Sequence, residues 1–326
     1  MTDYNMGKIM NKEVSKEKVL ITGGCGYLGR NLYSYLTSKN CNVVSLAHNH
    51  IISNQKIVRG DVLKRNTLIK AMVEMDYIIH CAARMFGGKK DEFRVNSEGT
   101  RNVLDIAESS GVRKVIHISS LAVANESIEH FNSTESVEYP KKPINHYVSS
   151  KIEGENFALA KKDDINIIIL RPGWIWGPGN ESIIKMFKMI KERKFVFIGS
   201  GKNLTYFTYI SNLLQAIDLA LSVNKIPSGE IFNITDGSKV TMKNFVDTVA
   251  SQFKLQSVKR RVPIWLANSA AFLIEKFRPD SDFTRQNVAI MSKNLHFDIS
   301  KAEKVLGYRP NKDLNKQIAE VINSDF

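Results

Sequence analysis

The sequence predicts an α/β fold, a doubly wound parallel sheet with a smaller, mainly helical C-terminal lobe. Three observations carry that reading. The apolar run Val19-Leu20-Ile21-Thr22 breaks into a glycine turn, Gly23-Gly24-Cys25-Gly26-Tyr27-Leu28-Gly29, and passes at once into a helical pattern of Leu28, Leu32 and Leu36. Strand-like and helical segments then alternate to about residue 178. Beyond Pro178-Gly179 the rhythm becomes irregular, and from Thr241 the chain is mainly helical.

The first strand, turn and helix have the layout of a pyrophosphate site. Gly23 permits the tight turn out of the strand, Gly26 removes a side chain where backbone meets phosphate, and Gly29 lets the helix sit close. The helix N-terminus then offers N–H groups and a positive dipole end to an anion. The spacing is G-x-x-G-x-x-G, and the flanking strand and helix are the context that gives it meaning. Further strands are expected at 42–46, 56–57, 77–80, 115–119 and 166–170, with the first at 18–21. Helices are expected at 28–39, 62–75, 95–110 and 147–161. This alternation implies right-handed crossovers, which make the carboxyl edge of the sheet the ligand face. A basic helix at 183–194, a loop at 199–203, a helix at 212–223 and a strand at 231–235 follow. The chain therefore divides into a Rossmann-type dinucleotide-binding domain, 17–178 with a return segment at 205–235, and a substrate-binding lobe, 179–326.

At 326 residues, 43% hydrophobic and 24% charged, the composition is ordinary for a globular protein. Cys25, Cys41 and Cys81 are scattered without metal-ligand spacing, which fits a reduced, cytoplasmic protein. Residues 1–18 are polar, a short disordered tail rather than a secretory signal. The net charge of +13 is mostly lysine spread along the chain. It suits small anionic ligands and gives no stripe for nucleic acid. The most apolar stretch, 262–274, is too short to span a bilayer and is broken by Asn268 and Ser269. It reads as a buried or oligomer-facing helix in preference to a membrane-surface one.

Tyr147-Val148-Ser149-Ser150-Lys151 places a tyrosine and a lysine at i and i+4 on one helix face. An ammonium beside a phenol, together with a cationic nicotinamide ring, lowers the phenol pKa towards neutrality and makes it a usable acid/base. Val115 to Ser120 is a strand that delivers hydroxyls to the ligand edge, where Ser120 can hold a carbonyl or alkoxide oxygen. Each feature has a bland reading, a surface Tyr/Lys pair and a turn-capping serine. It is their joint occurrence that points to chemistry.

With these motifs in view, the chain resembles an extended short-chain dehydrogenase/reductase of the epimerase/dehydratase superfamily over nearly its whole length. The motifs stand as Thr22 to Gly29, Gly60-Asp61, His80-Cys81-Ala82-Ala83, Asn96-Ser97-Glu98-Gly99-Thr100, Ser119-Ser120, Tyr147 to Lys151, and Arg171-Pro172-Gly173-Trp174-Ile175-Trp176-Gly177-Pro178-Gly179. The resemblance implies a Ser120, Tyr147 and Lys151 triad, with Asn96 ordering a proton-relay water. It places Gly23, Gly26, Tyr27, Leu28, Gly29, Asp61, Val62, Ala82, Ala83, Pro172, Tyr147 and Lys151 around a nicotinamide dinucleotide. The stretch from Ile198 to Asn212, Gly229 to Gly237, Phe283-Thr284-Arg285 and Lys301 to Pro310 resemble the 3β-hydroxysteroid dehydrogenase-like branch. Thr205 stands where nucleotide-sugar enzymes usually carry an arginine, and Ala124-Asn125 where they show Tyr-Gly, although Lys202 or Arg285 can supply charge.

Cofactor choice rests on the second strand. Ala47 occupies the position of the acid that binds the ribose 2′-hydroxyl of NAD. His48, His50 or Lys56 can meet a 2′-phosphate instead, which favours NADP over NAD. The two histidines lack a third ligand, so no metal is expected. The expected activity is NAD(P)-dependent interconversion of a secondary alcohol and a ketone. The alternative is a nucleotide-sugar epimerase or dehydratase using the same triad and bound NAD; a non-catalytic dinucleotide-binding protein is disfavoured by the intact triad. Met85, Phe86, Trp174 and Tyr206 are candidate pocket residues, with Trp176 and Phe207 beside them, and suit an apolar or ring-bearing small molecule. A homodimer is what the family implies.

Overall fold

A computed structural model describes residues 17–48, 52–85, 90–223, 225–278, 281 and 283–326. Its first half runs β1 (Lys18–Thr22), α1 (Tyr27–Ser38), β2 (Asn42–Ala47), β3 (Ile57–Arg59), α2 (Arg65–Met72), β4 (Tyr77–His80), α3 (Glu98–Ser109), β5 (Lys114–Ile118), β6 (His130–Ser133), α4 (His146–Ala160) and β7 (Ile167–Pro172). There follow β8 (Trp174–Trp176), α5 (Glu181–Lys191), β9 (Phe197–Ile198), β10 (Phe207–Tyr209), α6 (Ile210–Ser222), β11 (Glu230–Ile234), α7 (Met242–Gln252), β12 (Arg261–Val262), α8 (Ile264–Phe277), α9 (Arg285–Ser292), β13 (Leu295–Phe297) and α10 (Leu314–Asp325).

Seven strands form one wholly parallel sheet in the order β11-β7-β5-β4-β1-β2-β3. Helices cover both faces, so the central strands are apolar without alternation; β7 reads Ile167-Ile168-Ile169-Leu170, all fully buried. Their side chains still alternate between two cores. Val19, Ile21, Ile79, Ile116 and Ile168 pack with Leu32, Phe187 and Leu213 on one face. Leu20, Ile78, Val115 and Ile167 pack with Leu68, Val103 and Ala158 on the other.

Several boundaries differ from expectation. The helix expected at 62–75 spans only Arg65–Met72. Asp61 Oδ1 accepts the Leu63 amide at 2.9 Å, which holds 61–64 as a turn, and Glu74 at φ +58° ends the run. The helix expected from 95 begins at Glu98, after a 3-10 turn at Lys90–Val95. Three short parallel pairs were not legible: β6 with β13, β8 with β10, and β9 with β12. Strands of two to four residues carry no period, and each partner lies at least 33 positions away along the chain.

The stretch 262–274, read as a buried or oligomer-facing helix, forms α8, which buries only Ala267 and Ala271 within this chain. Among the described residues no helix is long and apolar enough to cross a membrane. His50, Phe86 and most of the N-terminal tail lie outside the described residues.

Candidate functional site

Sheet order turns scattered motifs into a row. Along the carboxyl edge stand Pro172 on β7, Ser119-Ser120 after β5, Cys81-Ala82 after β4, Gly23 after β1 and His48 after β2. At ~4.8 Å per strand the row is about 19 Å long.

The glycine turn is shaped for an anion. Gly23 has φ +69°, the left-handed region that glycine occupies without strain. A Cβ on Gly29 would lie 2.3 Å from the Gly23 carbonyl oxygen and 2.6 Å from the Gly24 Cα, so α1 rests directly on the turn. The contact is with the turn itself. A Cβ on Gly26 would meet nothing nearer than the Gly23 carbonyl at 3.3 Å, leaving its outer side open. Gly26 caps α1 without a side-chain bond, and the first turn has no acid to compete with a phosphate. These residues fit a dinucleotide pyrophosphate. A Gly29→Ala chain is expected to lose about 1–3 kcal/mol by overpacking and most of its dinucleotide affinity. Thermal melting and NADPH titration check both effects, and an unchanged affinity would contradict the close-packing role.

A directional hydrogen-bond chain supports the turn from below. Thr100 Oγ1 donates to the Asn96 carbonyl at 2.7 Å, so it accepts from His80 Nε2 at 2.9 Å. His80 Nδ1 is then an acceptor for Thr22 Oγ1 at 2.6 Å, and Thr22 Oγ1 takes the Ala82 amide at 3.3 Å. Burial and the nearby Lys151 charge lower the His80 pKa to about 3, which keeps the ring neutral as this chain requires. Ala82 lies against Gly23, whose Cβ would sit 2.8 Å from the Ala82 Cα.

Tyr147 and Lys151 project from α4 towards the end of β5. Tyr147 is half-buried, and Ser120 lies near enough to its hydroxyl to favour the phenolate. Ser120 Oγ also accepts the Ala122 amide at 3.2 Å, so the bland capping role and the proposed chemistry coexist in one side chain. Lys151 is buried and donates Nζ to the Ile118 carbonyl at 2.7 Å. Burial lowers its pKa to about 8. The expected depression of the Tyr147 phenol is not what the protein alone produces. Desolvation, opposed by Ser120 and reinforced by the charge of Glu126, pushes it up to about 12. The ammonium is engaged at the end of β5 and is not among the groups acting on the phenol.

Asn96 is held by three hydrogen bonds within the protein. Its two amide hydrogens go to the Arg84 carbonyl at 2.8 Å and Ser150 Oγ at 3.0 Å, while Oδ1 takes the Arg84 amide at 2.7 Å. No donor remains for a water. The side chain ties the loop after β4 to α4.

The other candidates are spread unevenly. Asp61 is a turn cap whose Oδ2 faces His48 Nε2 at 3.6 Å. Val62 is buried in the second core, and Leu28 packs on the first. Tyr27 is half-buried, with its hydroxyl 3.0 Å from where a Gly177 Cβ would lie. Ala83 and Met85 are exposed, and Pro172 pairs with Ile234. Trp174 is half-buried, while Trp176 and Phe207 are core. Tyr206 is no open pocket wall: it packs with Leu121, Ala124 and Phe297 and donates its hydroxyl to Glu126.

Sequence reasoning missed two partners here. Glu126, buried, accepts from Tyr206 and from Gln286 Nε2 at 2.7 Å; Gln286 Oε1 takes the Asn145 amide at 2.5 Å, and Asn145 caps α4. Glu155, fully buried, holds Arg171 through Nε at 2.9 Å and Nη2 at 2.6 Å. Arg171 is therefore no surface cation. Arg171, in an otherwise apolar run, is a local hint to the second site and names no partner; Glu126, between Asn125 and Ser127, carries no such hint.

Comparison with known proteins agrees with this geometry. Residues 19–235 match the model of the NAD dependent epimerase/dehydratase family. The chain is 28% identical to the Bos taurus sterol-4-alpha-carboxylate 3-dehydrogenase, decarboxylating, over 97% of this chain and 94% of that one. It is 27% identical to the 4-hydroxy-2-methyl-3-oxo-4-farnesyl-3,4-dihydroquinoline-1-oxide ketoreductase of Stigmatella aurantiaca, over 89% and 91%. The solved structure of MoeE5 with UDP-glucose and NAD has the same fold, with TM-score 0.76 at 22% identity, over 94% of this chain and 97% of that one. The chain belongs to the NAD dependent epimerase/dehydratase family, as an NAD(P)-dependent oxidoreductase of the extended short-chain type in its 3β-hydroxysteroid dehydrogenase-like branch.

Proposed function

We propose that this chain reduces a ketone on an apolar, ring-bearing small molecule, or oxidises the matching secondary alcohol, with NADP(H) as hydride partner. The observation that carries this is the convergence of Ser120, Tyr147 and Lys151 at the carboxyl end of β5, with Lys151 anchored to the Ile118 carbonyl. The bound nicotinamide supplies the hydride. Ser120 Oγ holds the substrate oxygen. Tyr147 Oη, protonated at neutral pH because burial raises its pKa, delivers a proton to that oxygen as negative charge develops. Lys151, fixed by the Ile118 carbonyl, keeps two N–H groups for the ribose. Gly23 to Gly29 and Ala82 hold the pyrophosphate end, and residues 179–326 contribute the substrate lobe. The named relatives act on a sterol and on a farnesylated quinoline oxide, which supports the substrate class.

NADP is favoured over NAD because Ala47 leaves the second strand without an acid, while Arg59 stands opposite it in register and His48 follows it. At equal concentration NADPH is expected to raise Tm more than NADH; a tenfold affinity difference is worth about 1.4 kcal/mol of stabilisation. A larger shift with NADH would reverse the assignment. The reaction itself is tested by NADPH oxidation against a panel of ring ketones. Copurifying NAD, with nucleotide-sugar product formed at no net cofactor turnover, would favour epimerase chemistry.

A pH dependence follows from Lys151. Its pKa of about 8 means that the ammonium is present below pH 8 and lost as pH rises through it. The kcat/KM for reduction is therefore expected to fall above about pH 8. Lys151→Arg, which keeps its charge, removes that alkaline limb; a limb that persists unchanged in the variant belongs to another group.

A further inference from the structure

The hydrogen bonds around Glu126 join three parts of the chain that the reaction must bring together. Asn125, at φ +69°, turns the chain after Leu121–Ala124 and sends Glu126 inward, where it is 2% exposed. One carboxylate oxygen accepts the Tyr206 hydroxyl, and the other accepts Gln286 Nε2 of α9 at 2.7 Å. These two partners lie 80 and 160 positions further along the chain. Gln286 Oε1 in turn accepts Asn145 Nδ2 at 2.5 Å, and Asn145 Oδ1 accepts the Val148 amide at 2.9 Å. That last bond closes the turn of α4 that carries Tyr147.

A buried carboxylate at this place is costly. Burial pushes the Glu126 carboxyl up, the Tyr206 and Gln286 donors pull it back, and among the described residues no cation acts on it. Its surroundings are apolar, since Tyr206 packs with Leu121, Ala124 and Phe297. A hydrophobic side chain would fill the same space without that cost. Departures of this kind concentrate at functional sites.

We infer that Glu126 is a positioning residue for the reaction, one that registers the Tyr147 turn of α4 against the substrate lobe through Gln286 and Asn145. This role rests on the ketone reduction proposed above. The carboxylate adds an electrostatic part. Its charge acts on the Tyr147 phenol from the loop after β5; Ser120 acts from the same loop in the opposite sense, and Tyr206 faces both Glu126 and Tyr147. In the alcohol-oxidising direction Tyr147 must first give up its proton, and a nearby anion opposes that.

Three single variants separate the two parts. Gln286→Leu cuts the link to Asn145 and keeps the carboxylate. Glu126→Gln keeps the shape and an acceptor for Gln286 but removes the charge. Glu126→Leu removes both. Gln286→Leu and Glu126→Leu are expected to lower kcat for ketone reduction roughly tenfold with NADPH affinity unchanged, while Glu126→Gln stays within about twofold, because only the first two release the turn that aims the acid. In alcohol oxidation, Glu126→Gln is expected to move the rise of kcat/KM with pH about one unit lower. A merely structural role would leave that midpoint in place. Amide exchange at Val148 needs no substrate, and should be about fivefold faster in Gln286→Leu, the worth of one hydrogen bond, and unchanged in Glu126→Gln. Should Glu126→Leu fail to fold, the other two variants decide. Wild-type exchange at Val148 in Gln286→Leu overturns the register role, as does wild-type kcat. An unmoved midpoint in Glu126→Gln overturns the electrostatic part. A wild-type protein that turns over no ring ketone or alcohol counts against the proposed reaction, and the exchange result still decides the register.

Discussion

Replacing Tyr147 with phenylalanine is expected to lower kcat for ketone reduction by roughly 10²–10⁴-fold, the usual share of a positioned acid. The change removes one oxygen atom from a half-buried ring, so Tm and NADP(H) affinity should hardly move. The loss falls on kcat because the phenol acts on an oxygen that becomes basic only as hydride arrives; substrate held in its ground state gains little from it. Ser120 keeps the Ala122 amide, so the turn after β5 stays in place. Steady-state kinetics on a substrate found by the ring-ketone panel provide the check. Near-wild-type turnover by Tyr147→Phe would sink the acid assignment, whatever the cofactor result.

Replacing Arg171 with methionine is expected to lower stability by about 3–5 kcal/mol, because it leaves the Glu155 carboxylate buried and unpaired. The pair is nearly sealed, with side-chain exposures of 3% and 0%. The effect should reach the chemistry as well. Glu155 lies one helical step beyond Lys151 and two beyond Tyr147, so the Arg171 clamp fixes that face of α4 against β7. Tyr139 adds a third partner, donating to Glu155 Oε2 at 2.6 Å. Denaturant melts measure the first loss. The double variant Arg171→Met with Glu155→Leu should recover most of it, since an apolar pair needs no counter-charge. A single-variant loss below about 1 kcal/mol would show that the carboxylate finds water or another donor.

The parts of this protein legible in its sequence are those with a local cause. The Val19 to Leu36 segment states its own strand, turn and helix, because an apolar run, a set of glycines and a spacing of four follow one another within eighteen residues. Tyr147 and Lys151 share a helix face by spacing alone, and Ser120 follows a strand that any apolar-run reading finds. The elements that escaped are short or paired at a distance. β8 and β10 have three residues each, which cannot establish a period. Gln286 meets Glu126 across 160 positions.

The sequence by itself determined the parallel sheet and pointed to the glycine turn and to Ser120, Tyr147 and Lys151 as candidates, since each follows from backbone preference and side-chain spacing over a few residues. Only the tertiary structure decided what each group is free to do. It commits the Asn96 amide to Arg84 and Ser150, holds Lys151 on the Ile118 carbonyl, raises the Tyr147 phenol and turns the apolar side of α8 outward. Proton affinity and exposure depend on which distant groups displace water around an atom, and no local pattern records that.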